Sequence, residues 1–451
     1  MANILTSLLK YLILFICALY TLFSFMAFRN QNSNRREWIL NYQEALLFLF
    51  HLVGYFILVI QTKNIKVLVF YVIQLVVIKA FMVIYLKIYE GSSRLLLNNM
   101  FFLIVVGLMM LTRLSFDKAI RQAIIMAVAF VIAGVVPVMV KRFGILARMG
   151  YIYGILGIIC LSLVFVVGST INGSTNWIKI GSVALQPSEF VKILFVFFLA
   201  SMLNRATSFK QVAIVSVLSA IHVMILVTEK DLGGALLYFV IFIVMCYVAT
   251  GRAIYFFGGL GLGVIASLLS YSLFSHVRVR IQAWSDPWSN VREQGWQVAQ
   301  SLFAIGTGGI FGTGLTQGRP TDIPVVEEDF IFSAISEEFG AVFAVCLILI
   351  CLSIFLTCVY IAIKTKKLFH KLLAIGFGTC YIFQVFLTIG GATKFIPSTG
   401  VTLPFISYGG SSVASTLLIF NIIQGLCMSA DWEEEKYEAR QGNRQKEEQE
   451  A

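Results

Sequence analysis

The stretch PVVEEDFIFSAISEEFG, residues 324–340, holds the strongest candidates for chemistry, with Glu327, Glu328 and Asp329 in succession at the mouth of an apolar run that continues through Tyr360. Neighbouring carboxylates disfavour one another's ionisation and partial burial adds to the effect, so Asp329 could be raised toward a useful general base. A carboxylate at a helix start is equally an ordinary cap, because it accepts hydrogen bonds from unpaired backbone N–H groups and complements the helix dipole. Spacing alone leaves both readings standing. At helical spacing Asp329, Ser333, Ser336 and Glu337 form a polar stripe on an otherwise lipid-like helix, and such a stripe should face a bundle interior or a wet cavity.

Other polar groups stand near apolar runs. QPSE at 186–189 reads as a helix start, with Lys192 one turn beyond Glu189. The plain reading is an i,i+3 pair that satisfies itself inside the bundle; the functional one is a cation offered to an anionic head group. The loop at 275–328 mixes Trp284, Trp288 and Trp296 with Arg278, Arg280, Arg292 and Arg319, as in a segment lying in the headgroup layer, where generic anchoring explains the tryptophans. Its glycines match neither GxGxxG nor a P-loop, which leaves close-packed or re-entrant backbone. Lys394 has no evident partner except a carboxylate or a phosphate. Ser411 and Ser412 suit a helix cap, and His222 reads as a hydrogen-bonded bundle residue because no second ligand shares its face.

The elements that must position these groups are membrane helices. Of 451 residues 59% are apolar and 13% charged, too little polar surface to cover a soluble globule. Eight cysteines inside apolar runs, without metal spacing, are packing residues. The net charge of +11 reflects loop Lys and Arg, so nucleic acid is rejected. About thirteen spans are expected, near 9–28, 44–62, 66–88, 100–115, 121–140, 149–168, 187–203, 210–228, 232–250, 253–274, 329–363, 371–390 and 411–430. The first lacks a cleavage site and reads as an anchor. Loop charges place the N-terminus outside and the C-terminus in the cytoplasm, with Arg113, Lys118 and Arg121 against the rule. The outer face then carries 171–189, 229–233, 275–328 and 391–412, where no ATP is available. The acidic tail, 431–451, is expected to be disordered or a short surface helix.

Taken together, NWIKIG, QPSEFVKI, DLG, DPW with GGIFGTGL, EEDFIFSAISEEFG and STGVTLPFISYGGSS over roughly 100–430 resemble the SEDS proteins, the FtsW/RodA/SpoVE group of bacterial cell-wall polymerases. The resemblance implies an all-α polytopic membrane fold with a ten-span core at 100–430, to which 1–99 adds about three spans. It implies a peptidoglycan glycosyltransferase that polymerises lipid II on the outer face of the cytoplasmic membrane, in division, elongation or sporulation. It assigns Asp329 as the catalytic acid and Glu189 and Lys192 to the polar cavity. Lipid II, an undecaprenyl-pyrophosphoryl disaccharide-peptide, carries its own activation, so no nucleotide motif is needed. Asp329 would take the acceptor's proton, while Lys192, Lys394, Arg278, Arg280 and Arg319 would meet the pyrophosphate. No cofactor is evident, and a divalent cation is left open. A class B penicillin-binding protein and other division or elongation proteins are the implied partners, since the chain has no SxxK and KTG set for crosslinking. A lipid II flippase or a structural scaffold are the alternatives. The usual QPDLG reads EKDLG at 229–233, which puts a role for that turn in doubt.

Overall fold

The computed structural model describes residues 2–30, 32–140, 143–171, 174–181, 183–205, 208–289 and 295–450. An N-terminal group of helices comprises α1 (Ala2–Arg29), α2 (Ser33–Thr62) and α3 (Ile65–Ile88). Next come α4 (Arg94–Leu114), α5 (Phe116–Ala133), α6 (Val136–Met139), α7 (Phe143–Leu146), α8 (Gly150–Ser162) and α9 (Val164–Val167). Strands β1 (Ser169–Ile171), β2 (Ser174–Ile180) and β3 (Val183–Leu185) precede α10 (Pro187–Leu203), α11 (Phe209–Thr228), α12 (Leu232–Thr250), α13 (Ala253–Leu273), α14 (Ser275–Ser285) and α15 (Gly295–Gly308). The chain ends with α16 (Ile331–Lys364), α17 (Leu368–Ala392) and α18 (Gly410–Glu450).

Among the described residues twelve helical stretches are long and apolar enough to cross a membrane, α5 with α6 and α8 with α9 each making one crossing. Helix α10, with 17 residues, is about 25 Å long and falls just short by length; with it, helices stand at all thirteen expected positions. The fold is an all-α polytopic membrane bundle with one departure. Strands β1, β2 and β3 form a three-stranded antiparallel sheet in which Ser169 faces Trp177 and Ile178 faces Leu185. Antiparallel pairing satisfies the backbone of these strands without a helix. The tail continues α18 as helix to Glu450.

The membrane environment does little to drive helices together, so buried polar groups and close packing decide which ones meet. Helix α4 is buried from Leu95 to Thr112, wrapped on one side by α1 and α2. There Asn99 accepts from Tyr20, Ser24 and Gln43 at 3.1 Å each and donates to Ser353 of α16 at 2.7 Å. The rings of Tyr20 and Phe102 stack at 4.1 Å, and Phe50 bridges to Phe343 of α16. Helix α13 has no buried residue and packs against α12, where the Phe256 ring meets Tyr247.

Helix α16 begins two residues later than the expected 329 and is broken at Gly340, whose φ of 83° and ψ of 176° are not helical. A side chain cannot replace this glycine, because a methyl group there would lie 2.2 Å from the backbone nitrogen of Gly312. The freed backbone groups are taken up by the segment after α15: Thr313 and Gly314 donate to the carbonyls of Glu337 and Glu338, and Ala341 and Val342 donate to Gly309 and Ile310. The glycine-rich loop is therefore backbone packed against backbone, the arrangement that tolerates a broken helix at membrane depth.

Candidate active site at the start of the broken helix

The polar stripe of α16 turns inward. Ser333 meets Ser301 of α15 at 2.5 Å, and Ser301 donates to the carbonyl of Ala392 at 2.7 Å. Glu337 accepts from the backbone of Arg319 at 2.8 Å, and the fully buried Glu338 pairs with Arg113 of α4 at 3.1 Å. Ahead of the stripe the chain is clamped by the 403–409 loop: Tyr408 N–H donates to the carbonyl of Glu327 at 2.7 Å and the Ser407 hydroxyl to that of Glu328 at 2.5 Å. Val325 and Phe405 hold left-handed backbone at φ of 55° and 66° on the two sides of this clamp, strain that persists only where surroundings over-determine it.

The clamp leaves Asp329 half-buried. The N-cap of α16 is Phe330, and no side chain caps it, so the capping reading of Asp329 is not realised. Burial pushes the Asp329 carboxyl up to about 6, against the opposing pull of the Arg280 guanidinium. This corrects the expectation that Glu327 and Glu328 would raise it. Burial, the largest single influence, pushes Glu327 up, but the hydrogen bond and charge of Lys118 together with a backbone hydrogen bond outweigh it and hold Glu327 below the usual range. Glu328 is raised by burial first and by the Asp329 charge second.

Arg280 comes from α14 and donates to the carbonyl of Ser398 at 3.4 Å. Between the two charges lies Gly400, φ 71°: a methyl group there would stand 3.8 Å from Asp329 Oδ2 and 4.0 Å from Arg280 Nη2. Arg278, two residues away and so on another face of α14, is exposed. Arg319 is exposed as well, and it engages α16 through its backbone. The Lys394 carbonyl accepts from Trp284 at 3.0 Å, and its charge is felt by Asp286, not Asp329. Trp288 and Trp296 are 51% and 40% exposed, as expected of interfacial rings. Arg292 lies outside the described residues.

Lys192 is 2% exposed and closed on Glu189 at 2.5 Å and Gln384 at 3.1 Å, with Ser415 donating to the same Glu189 oxygen at 2.8 Å. Gln384 in turn donates to the Thr402 carbonyl and to Ser412. The 391–409 loop thus joins this pair, through Thr402, to the Asp329–Arg280 pair, through Gly400. His222 is a bundle residue, its Nδ1 2.8 Å from the Leu218 carbonyl and its ring against Phe195 and Phe198.

Asp231 is the site residue that spacing did not single out. Its carboxylate accepts from Asn176 of β2 at 3.0 Å, Gln186 at 3.3 Å, Ser188 of α10 at 3.2 Å and Gly234 N–H at 2.8 Å. It therefore caps α12 and ties the sheet to α10, and its charge also acts on Arg280. The DLG triplet was the available signal, obscured by the EK before it. Glu229 is fully buried with both oxygens unpartnered, and burial, helped by Asp231, pushes it up to about 8. Among the described residues no group of three or more His, Cys, Asp or Glu is placed to hold a metal ion.

The chain belongs to the FtsW/RodA/SpoVE family of cell cycle proteins, whose family model covers residues 93–431. Peptidoglycan glycosyltransferase RodA of Mycobacterium bovis is 37% identical over 297 residues, 62% of this chain and 63% of the relative. The chain thus spans less than two thirds of that relative's length. Stage V sporulation protein E of Bacillus subtilis is 35% identical over 59% of this chain and 75% of the relative. In fold, the chain is similar to one solved in a study of polymerization and crosslinking by a peptidoglycan synthase complex, with a TM-score of 0.66, 24% identity, and coverage of 76% of this chain and 99% of that one.

Proposed function

We propose that the chain is a peptidoglycan glycosyltransferase that polymerises lipid II, with Asp329 as general base. The observation that carries this reading is the Asp329 carboxyl itself, free of any capping role, raised by burial to about 6 and set beside Arg280. A base with that value is ionised at neutral pH yet basic enough to accept a proton as one is lost. An acceptor sugar hydroxyl gives its proton to Asp329 while its oxygen bonds to the anomeric carbon of the donor. The donor's bond from that carbon to the pyrophosphate breaks, and the electron pair leaves with undecaprenyl pyrophosphate. Arg280 is the cation placed to meet charge at this point. Glu189 and Lys192 are closed on each other and hold α10 against α17 and α18 as the wall of the cavity. Lys394, Arg278 and Arg319, on the rim, would take part in collecting the anionic substrate.

The names of the relatives support this class of activity. The proposed chemistry takes place on the outer face of the cytoplasmic membrane, in an orientation with the N-terminus outside and the C-terminus inside. Residues 1–99 act as an added unit on a ten-span catalytic core. A class B penicillin-binding protein would supply crosslinking, together with other division or elongation proteins. The test is to supply purified protein, alone and with such a partner, with labelled lipid II. Glycan polymer is expected; transfer of lipid II across a vesicle membrane without polymer would favour a flippase.

A further inference from the structure

A cavity lined by three charged groups lies at the other end of the bundle from Asp329. It has a volume of about 550 Å³ and opens between α2 and α3, closed at one side by the first residue of α4; its lining includes Asn41, Glu44, Phe48, Lys79, Met82 and Arg94. Only Arg94 falls within residues 93–431, the part that matches the family. Helix α4 has 21 residues, about 32 Å, the thickness of the hydrocarbon layer. Its last turn carries Arg113, bonded to Gly318 and Glu338 near the candidate active site, so Arg94 marks the headgroup level of the opposite leaflet.

Two cations share one carboxylate here. Glu44 pairs with Lys79 and, at 3.2 Å, with Arg94. The second acid on Arg94, Glu37, is 52% exposed and outside the lining, where water screens it. Within the lining itself two cations face one carboxylate, and with Glu37 outside it the whole cluster is neutral. Lys79 is 53% exposed and lies over the Phe48 ring at 5.4 Å, and the Arg94 Nε–H is buried without an acceptor. Beside these donors the wall of Met82, Val83 and Leu86 is apolar and continues into the outward face of α3 at Val83. A donor pair at phosphate level beside an apolar wall open to the bilayer suits an amphiphile with an anionic head.

We propose that α2, α3 and the start of α4 form a binding site for an anionic glycerophospholipid, with its phosphate on Lys79 and Arg94 and its acyl chain along the apolar wall. The lipid fastens the added helices to α4.

The full chain in neutral detergent tests this by native mass spectrometry and thermal unfolding with phosphatidylglycerol, phosphatidylcholine or inorganic phosphate. Phosphatidylglycerol should bind at least about 10-fold more tightly than phosphatidylcholine and raise the melting temperature, while phosphate alone does neither. Lys79→Met should lose that preference and Lys79→Arg should keep it. If Lys79→Met lowers stability without lipid, Ala45→Leu, which fills the cavity and leaves every charge in place, should lose it instead. Equal binding of the two lipids, an unchanged preference in Lys79→Met or Ala45→Leu, or full competition by inorganic phosphate would overturn the proposal.

Discussion

Two groups of acids lie within a dozen residues on α16 and just before it, and they end in opposite conditions. Glu337 and Glu338, just before the break at Gly340, are closed: one accepts a backbone N–H, the other pairs with Arg113, and both lock the 313–319 loop to the helix. Asp329, at the other end of the same half-helix, is neither capping nor buried out of reach, and it faces its cation across Gly400. The lesson is that a carboxylate fully buried or closed on structural partners serves the scaffold, whereas a half-buried one facing a cation is left for chemistry.

That contrast can be broken at several points. The largest effect is expected at Asp329. Asp329→Asn should lower lipid II polymerisation by roughly 100-fold to 10,000-fold with an unchanged melting temperature, because no cap is lost. Next is Glu338→Ala, which strands a part-buried Arg113 and should cost about 3–5 kcal/mol, read in thermal unfolding, with activity falling only as folded protein is lost. Glu229→Gln sharpens the picture elsewhere. Because its folded value of about 8 lies above the ordinary 4.5, the native state binds more protons than the unfolded one between those values, and stability falls as pH rises through that window. The variant should therefore be more stable than the parent at pH 9 by upward of about 1 kcal/mol, read as a higher melting temperature, and lose that advantage near pH 4. The smallest effect belongs to Glu327→Gln, which removes the pair with Lys118 and should change the rate by less than about threefold; a loss approaching that of Asp329→Asn would erase the contrast between closed and open acids.

The membrane helices were legible in the sequence because twenty-odd apolar residues in a row have few other fates. Glu189 and Lys192 could be paired from i,i+3 spacing, and the motif ending at Asp329 pointed to the acid. What spacing could not show was tertiary. Gly340 inside an apolar run looks like any helical glycine until Gly312 approaches it, and 169–185 gave no sign of a sheet because its strands are three to seven residues long. Of the described cations along 278–394, only Arg280 comes to Asp329, a selection made by the fold of the 391–409 loop. Asp231 stayed hidden because its partners arrive from β2 and α10, far away in sequence.

The most direct test of the central claim is the pH dependence of kcat/KM for lipid II polymerisation, which reports the essential base of the free enzyme. If Asp329 is that base, the rate should climb about tenfold per pH unit below a midpoint near 6 and level off above it, and Arg280→Gln should move the midpoint upward by removing the opposing cation. A profile flat from pH 5 to 7, or an acid limb that persists in the residual activity of Asp329→Asn, would contradict the account.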